Sequence, residues 1–106
     1  MIARIWRGIT HVDSADAYLD QLRATALPAL ADQPGQRGAW VLRRVQGEHC
    51  EFQVISLWDS LDAVRVWTGG DPNKAMYYAE DDKYLLDMEP VVRHYDVADA
   101  LVPTAG

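Results

Sequence analysis

A single cysteine, Cys50, leaves the chain without the means of an internal disulfide. It stands beside His49 with no third group nearby to orient that histidine, so the parts of an activated nucleophile are missing and Cys50 reads as a structural thiol in a strand. Long apolar runs are lacking too, and none approaches the roughly 20 residues that a membrane span requires. The opening MIARIWRGIT has neither an apolar leader core nor a small-residue cleavage site. A cytoplasmic protein with no membrane partner is expected. Positive charge is scarce: Lys and Arg number 10 against 16 Asp and Glu, a formal charge of −6. Counterion release on a phosphate backbone needs clustered cations, so no nucleic-acid partner is expected. The acidic run Glu80, Asp81, Asp82, Asp87 and Glu89 lacks the glycine turn and alternating oxygen ligands of a calcium loop, and no metal site is read there.

What is present suits one globular domain. The 106 residues are 49% hydrophobic and 25% charged, with residues 1–98 forming the domain and 99–106 a C-terminal tail. Residues 2–9 alternate as a strand does. Asp13 or Ser14 can cap a following helix whose buried stripe is Tyr18, Leu19, Leu22, Ala26 and Leu30; Pro28 should kink it near Leu27, and Pro34-Gly35 should end it. RGAWVLRRV and CEFQVISLW, joined by Gln46-Gly47-Glu48-His49, have the pattern of an antiparallel hairpin. A second helix runs from Asp59 or Ser60 over Leu61, Val64 and Trp67 to Gly69-Gly70. Asp71-Pro72 then resembles a cap followed by a first helical residue, which predicts a short helix through Tyr78, a further turn from Asp81, and a helical lid over 69–90 anchored by Leu85 and Met88. Residues 91–97, VVRHYDV, close the domain as the last strand.

The order β-α-β-β-α-β predicts an α+β, ferredoxin-like fold with a four-stranded antiparallel sheet and helices on one face. Yet AWVL and FQVISLW are apolar at both parities, so the other face also needs cover. A second copy of the same sheet supplies it, which makes a homodimer the expected partner arrangement.

The topology, together with SLWDSLDAVRVW, PGQRGAWVLRR and the closing HYDV, resembles the antibiotic biosynthesis monooxygenase-like proteins of the dimeric α/β barrel superfamily. That resemblance implies a monooxygenase of the cofactor-independent kind, in which a phenolic or quinol-type substrate is itself the reductant and the protein supplies an apolar pocket and hydrogen bonds to a developing oxyanion. It equally admits a non-catalytic small-ligand-binding or stress-response domain. A minor branch degrades haem, with an asparagine on the first strand, a tryptophan late in the second helix and an iron-binding histidine ten residues beyond. Here the tryptophan position is matched by Trp67, whereas Arg7 and Tyr77 occupy the other two.

Candidate residues follow from type and parity. Arg4 shares a strand face with Trp6, and Arg7 lies on the other; the Ala3-Ile5 side suits helix packing, which assigns Arg4 to the pocket. His94, in an apolar strand, is either a hydrogen-bonded structural residue or a proton carrier. Tyr77 and Tyr78 diverge by about 100° on a helix, so one of the two should face the ligand. The expected catalytic groups are thus His94, Tyr77 and Arg4, and the expected walls for a small hydrophobic ligand are Trp6, Trp67, Tyr78, Leu85 and Met88. No cofactor is expected.

Overall fold

The computed structural model describes residues 1–101; the rest of the tail expected over 99–106 lies outside the described residues. Strand β1 (Ile2–His11) leads through a 3-10 turn at Val12–Ser14 into helix α1 (Ala15–Ala24) and helix α2 (Ala26–Ala31). Strands β2 (Gln36–Gln46) and β3 (His49–Trp58) form the expected hairpin, closed by the two-residue loop Gly47-Glu48. Gly47 takes φ +62°, a left-handed value that glycine adopts without a Cβ penalty. Helix α3 (Leu61–Thr68) begins where Ser60 accepts a hydrogen bond from the Ala63 N–H at 3.2 Å and ends at Gly69, φ 83°.

Three expectations for the connections are corrected. The first helix breaks at Thr25 instead of kinking near Leu27. A proline ring at position 28 clashes with the carbonyl four residues earlier, at Ala24, so the helix must yield before Pro28, not at it. Thr25 restores order at the break by donating its hydroxyl to the Gln21 carbonyl at 2.7 Å. Second, the short helix expected through Tyr78 does not form. Asp71 accepts from the Asn73 N–H in a tight turn, and 74–78 runs extended to a 3-10 helix at Ala79–Lys83. Third, Leu85–Met88 is strand β4 and not part of a helical lid, and the final strand β5 is shorter than 91–97, spanning Arg93–Asp96.

The sheet therefore has five antiparallel strands instead of four. β3 lies between β2 and β1, and the far edge of β1 is shared: β5 pairs with Ile2 to Ile5 and β4 with Gly8 to Thr10. This is the ferredoxin-like strand order with its last strand split in two. The helices cover one face. There Tyr18 and Leu22 of α1 pack on Cys50 and Phe52, while Leu30 and Val64 pack on Trp58. Trp58, Tyr18 and Phe52 are almost wholly buried, and truncating such an aromatic costs about 3–5 kcal/mol. Burial also raises the Cys50 thiol above its ordinary range, consistent with an inert strand residue.

The opposite face carries Ile5, Ile55 and Leu57 flanked by Trp40, Leu42 and Tyr95, the last three about half exposed. On each face a tryptophan lies over a glycine two residues away in its own strand. A Cβ at Gly8 would meet the Trp6 ring at 2.4 Å, and one at Gly38 would meet the Trp40 ring at 3.0 Å.

Candidate functional site

Even-numbered residues of β1 point towards the helices, so Arg4 and Trp6 rise into the space between the sheet, α1 and the 71–84 segment. Arg4 faces the pocket, but the packing reason is the reverse of the expected one: Ala3 and Ile5 lie on the helix-free face. Arg7 is on that face as well, in an ion pair with Glu51 that holds the Glu51 carboxyl below its usual range.

Between these elements lies a narrow apolar cavity of about 530 Å³ including its open mouth. Leu22, Ala26, Leu30, Val54 and Met76 form much of its wall, with Trp6, Trp67, Tyr77 and Tyr78 as aromatic surfaces. A ring-bearing ligand has to displace part of the wall, and the 71–84 segment is the part with the least regular structure.

At one end sits Arg4, only 4% exposed. Its guanidinium donates to the carbonyls of Pro72 and Lys74, the latter at 2.6 Å, and lies 5.1 Å from the centre of the Trp67 ring, which itself stacks on Trp58 at 5.5 Å. No carboxylate pairs with it among the described residues; burial pulls its pKa down to about 10, opposed by the charge of Asp71. Arg4 Nη1 also lies 3.2 Å from His94 Nε2. A guanidinium only donates, so His94 accepts through Nε2 and carries its proton on Nδ1. Burial and the adjacent cation both lower the His94 pKa, which keeps the ring neutral. His94 thus stands behind Arg4 and is not part of the cavity wall.

In the middle, the Trp6 indole N–H donates to the Tyr77 hydroxyl at 2.9 Å, and that hydroxyl donates to the Glu89 carbonyl. The chain of two bonds fastens the 71–84 segment to β1 and to the turn after β4. Burial raises the phenols of Tyr77 and Tyr78, so both stay protonated near neutrality. Both tyrosines line the cavity, which an extended backbone allows and the expected helix did not. The Tyr78 hydroxyl makes no hydrogen bond among the described residues.

At the other end, two residues that the sequence reading placed elsewhere reach the cavity. Asp81, expected only to start a further helical turn, is 4% exposed and accepts from Gln21 Nε2 and from the Tyr78 N–H at 2.8 Å. Tyr18, expected as core, is core on its ring and meets the cavity as well. Its phenol is pushed above the ordinary range by burial and then by the charge of Asp81. Gln21, one turn along α1 from Tyr18, was the available signal: a polar residue beside the buried stripe needs a buried partner. Leu85 packs beside Tyr18 on the core and Met88 is 38% exposed in β4, so neither expected wall residue lines the cavity. Both pair with residues of β1 that lie beyond Trp6, Met88 with Gly8 and Leu85 with Thr10.

A haem would need an axial ligand aimed into this space. No histidine lines it, the Tyr77 oxygen already accepts from Trp6 and donates to Glu89, and His94 Nε2 is engaged by Arg4. The residues present do not fit haem ligation. Nor do any three His, Cys, Asp or Glu side chains among the described residues cluster as metal ligands do.

No protein-family profile matches the chain, and no curated protein does. Solved structures match along nearly its whole length. A proposed antibiotic biosynthesis monooxygenase from Bacillus cereus superimposes with a TM-score of 0.68 at 11% identity, covering 98% of this chain and 97% of its own. One from Deinococcus radiodurans gives 0.63 at 16%, covering 99% and 100%. The haem degrader MhuD from Mycobacterium tuberculosis, with two haems bound in its active site, gives 0.63 at 21%, covering 96% and 100%. The chain has the α+β fold shared by the antibiotic biosynthesis monooxygenase-like proteins, the fold that its own motifs imply.

Proposed function

We propose that the chain is a cofactor-independent monooxygenase that oxidises a small hydrophobic aromatic substrate of the phenolic or quinol type, working as a homodimer. The observation that carries this reading is a buried guanidinium without a carboxylate partner at the end of an apolar, aromatic-walled cavity. A buried cation with no ion-pair partner is costly, and it suits a site where negative charge develops during reaction.

For a phenolic anthrone the step balances without any protein redox group. A CH2 group and dioxygen become a carbonyl and water, with the substrate supplying the electrons. The substrate loses a proton, the resulting carbanion reduces dioxygen, and Arg4 holds the oxyanion. His94, neutral and behind Arg4, positions the guanidinium instead of touching substrate. Trp6, Trp67, Tyr77 and Tyr78 clasp the ring system and exclude water.

The test is oxygen uptake with phenolic anthrones, using wild type and Arg4→Met, which keeps an unbranched stem and removes the guanidinium and its charge. Wild type should consume oxygen in proportion to substrate, and the variant should lose about 100-fold or more in kcat. Saturable binding without oxygen uptake would instead assign a ligand-binding domain with the same pocket.

The likeness to MhuD raises a haem reading that the donor set opposes. Titration with hemin is expected to give no stoichiometric Soret shift. A tight complex that is lost in Tyr77→Phe would reverse this.

A further inference from the structure

We propose that Asp81 is the proton acceptor of the cavity, the group that takes hydrogen from the substrate carbon or hydroxyl. This rests on the monooxygenase reading above and adds to it the base that the reading leaves unnamed.

The argument begins with where the carboxylate is. Asp81 sits in the 3-10 helix at Ala79–Lys83, buried against α1, and its side chain belongs to the cavity wall. Its two known partners are neutral: Gln21 Nε2 on Oδ1 and the Tyr78 N–H on Oδ2. No Lys, Arg or His pairs with it among the described residues. Each carboxylate oxygen has a second lone pair free to accept a hydrogen bond. The charged groups that act on it disfavour its charge, and Lys83, two places along the same helix, is exposed. Glu80 and Asp82 flank it on its own helix, Tyr18 approaches from α1, and Tyr77 and Tyr78 precede it. Burial is the largest cause of its raised proton affinity, with Asp82 and Glu80 adding to it and the two hydrogen bonds opposing. A desolvated carboxylate with raised affinity is a better base than one in water, and it moves towards the working pH.

The chemistry is simple to balance. The substrate C–H or O–H bond breaks, its electron pair stays on the substrate as a carbanion or phenolate, and the proton joins an Asp81 oxygen, which becomes neutral. The proton is returned when water forms from dioxygen.

The competing reading is that Asp81 only caps its 3-10 turn and ties it to α1. Asparagine separates the two, because its carbonyl can still accept from the Tyr78 N–H and its NH2 can donate to Gln21 Oε1 once that amide turns over. The structural bonds survive; the basic oxygen does not. The stability of the two proteins carries the same information. A raised native pKa means that the stability Asp81 contributes is fully present below its unfolded pKa and is lost as pH rises through its native pKa. At neutral pH the charged side chain is then a cost that Asn lacks.

The experiment uses 1,8-dihydroxyanthrone as the probe, first without oxygen and then with it. Anaerobically, wild type is expected to bind the probe and convert it to its coloured anion, while Asp81→Asn binds with a Kd within about threefold and leaves it neutral. On admitting air, wild type should consume oxygen and the variant should lose roughly 100-fold in kcat, within the range of general-base catalysis. Its Tm at pH 7 should equal or exceed that of wild type. An anion formed equally well by Asp81→Asn overturns the assignment, as does a variant that unfolds at pH 7 while its Asp81→Glu counterpart is inactive. Anion formation that depends on Asp81 but leads to no oxygen uptake upholds the base and overturns the monooxygenase reading instead. Absence of saturable binding to wild type overturns both.

Discussion

Ile55→Arg is expected to turn a dimer into a monomer in sedimentation at micromolar concentration, weakening association by at least about 100-fold while far-UV circular dichroism stays unchanged. Ile55 lies at the centre of the helix-free face, opposite Ile5 on one side and Trp40 on the other. With Leu57, Leu42 and Tyr95 it makes an apolar surface that runs across four strands, and exposed apolar patches of this kind mark interaction surfaces. The charged pair Arg7 and Glu51 marks one end of that surface, as a rim does. Two such faces packed sheet to sheet should bury a total above about 1,200 Å². An arginine at the centre has no counter-charge there and cannot reach water. Wild type sedimenting as a monomer at these concentrations would remove the dimer from the proposal and leave the apolar face without a partner.

The second large effect concerns the fastening of the 71–84 segment. Tyr77→Phe leaves the Trp6 indole N–H without an acceptor and the Glu89 carbonyl without a donor. A buried polar group left unpaired costs about 1–3 kcal/mol. The loss falls on a segment held by few other ties, chiefly Arg4 on Pro72 and Lys74, Gln21 on Asp81, and the bridge between Lys74 and Val91. Amide exchange in 71–84 should therefore accelerate by roughly 10-fold or more in Tyr77→Phe, with β1 to β3 protected as before. Tyr78→Phe is the control, because the hydroxyl it removes makes no hydrogen bond among the described residues. Equal acceleration in both variants, or none in either, would show that the Tyr77 hydroxyl does not fasten the segment.

Where the sequence was readable, its signals were local and strong. Ser60 and Gly69 bound α3 because a cap and a left-handed glycine act within one turn of the chain. The hairpin was fixed by alternating strands around Gly47. Residues 71–90 resisted for the opposite reason. Asp71-Pro72 has the local chemistry of a helix start, but the carbonyls of Pro72 and Lys74 are claimed by Arg4, nearly 70 positions earlier, and a helix would need that segment for its own bonds. Leu85-Leu86-Asp87-Met88 has no strand alternation, and its conformation comes from the vacant edge of β1 beyond β5. The site shares this dependence. Strand parity put Arg4 and Trp6 on one face, and helix spacing put Trp67 on the inner side of α3. Asp81 could not be placed this way, since what buries it is Gln21 and Tyr18 from another element.

The glycines under Trp6 and Trp40 have a consequence for both surfaces of the sheet. Each indole can lie flat only because its neighbour two positions away has no side chain, so the ring is a tile seated in a gap of one missing methyl group. On the helix side the tile sets the floor of the cavity and aims the Trp6 N–H sideways at Tyr77. On the far side the Trp40 tile smooths the apolar face that carries Ile5 and Ile55. A Cβ at position 8 would have to displace the Trp6 ring and so change the height of the cavity, whereas at position 38 the Trp40 ring need give only slightly and the backbone, at φ +145°, would itself be strained by any side chain.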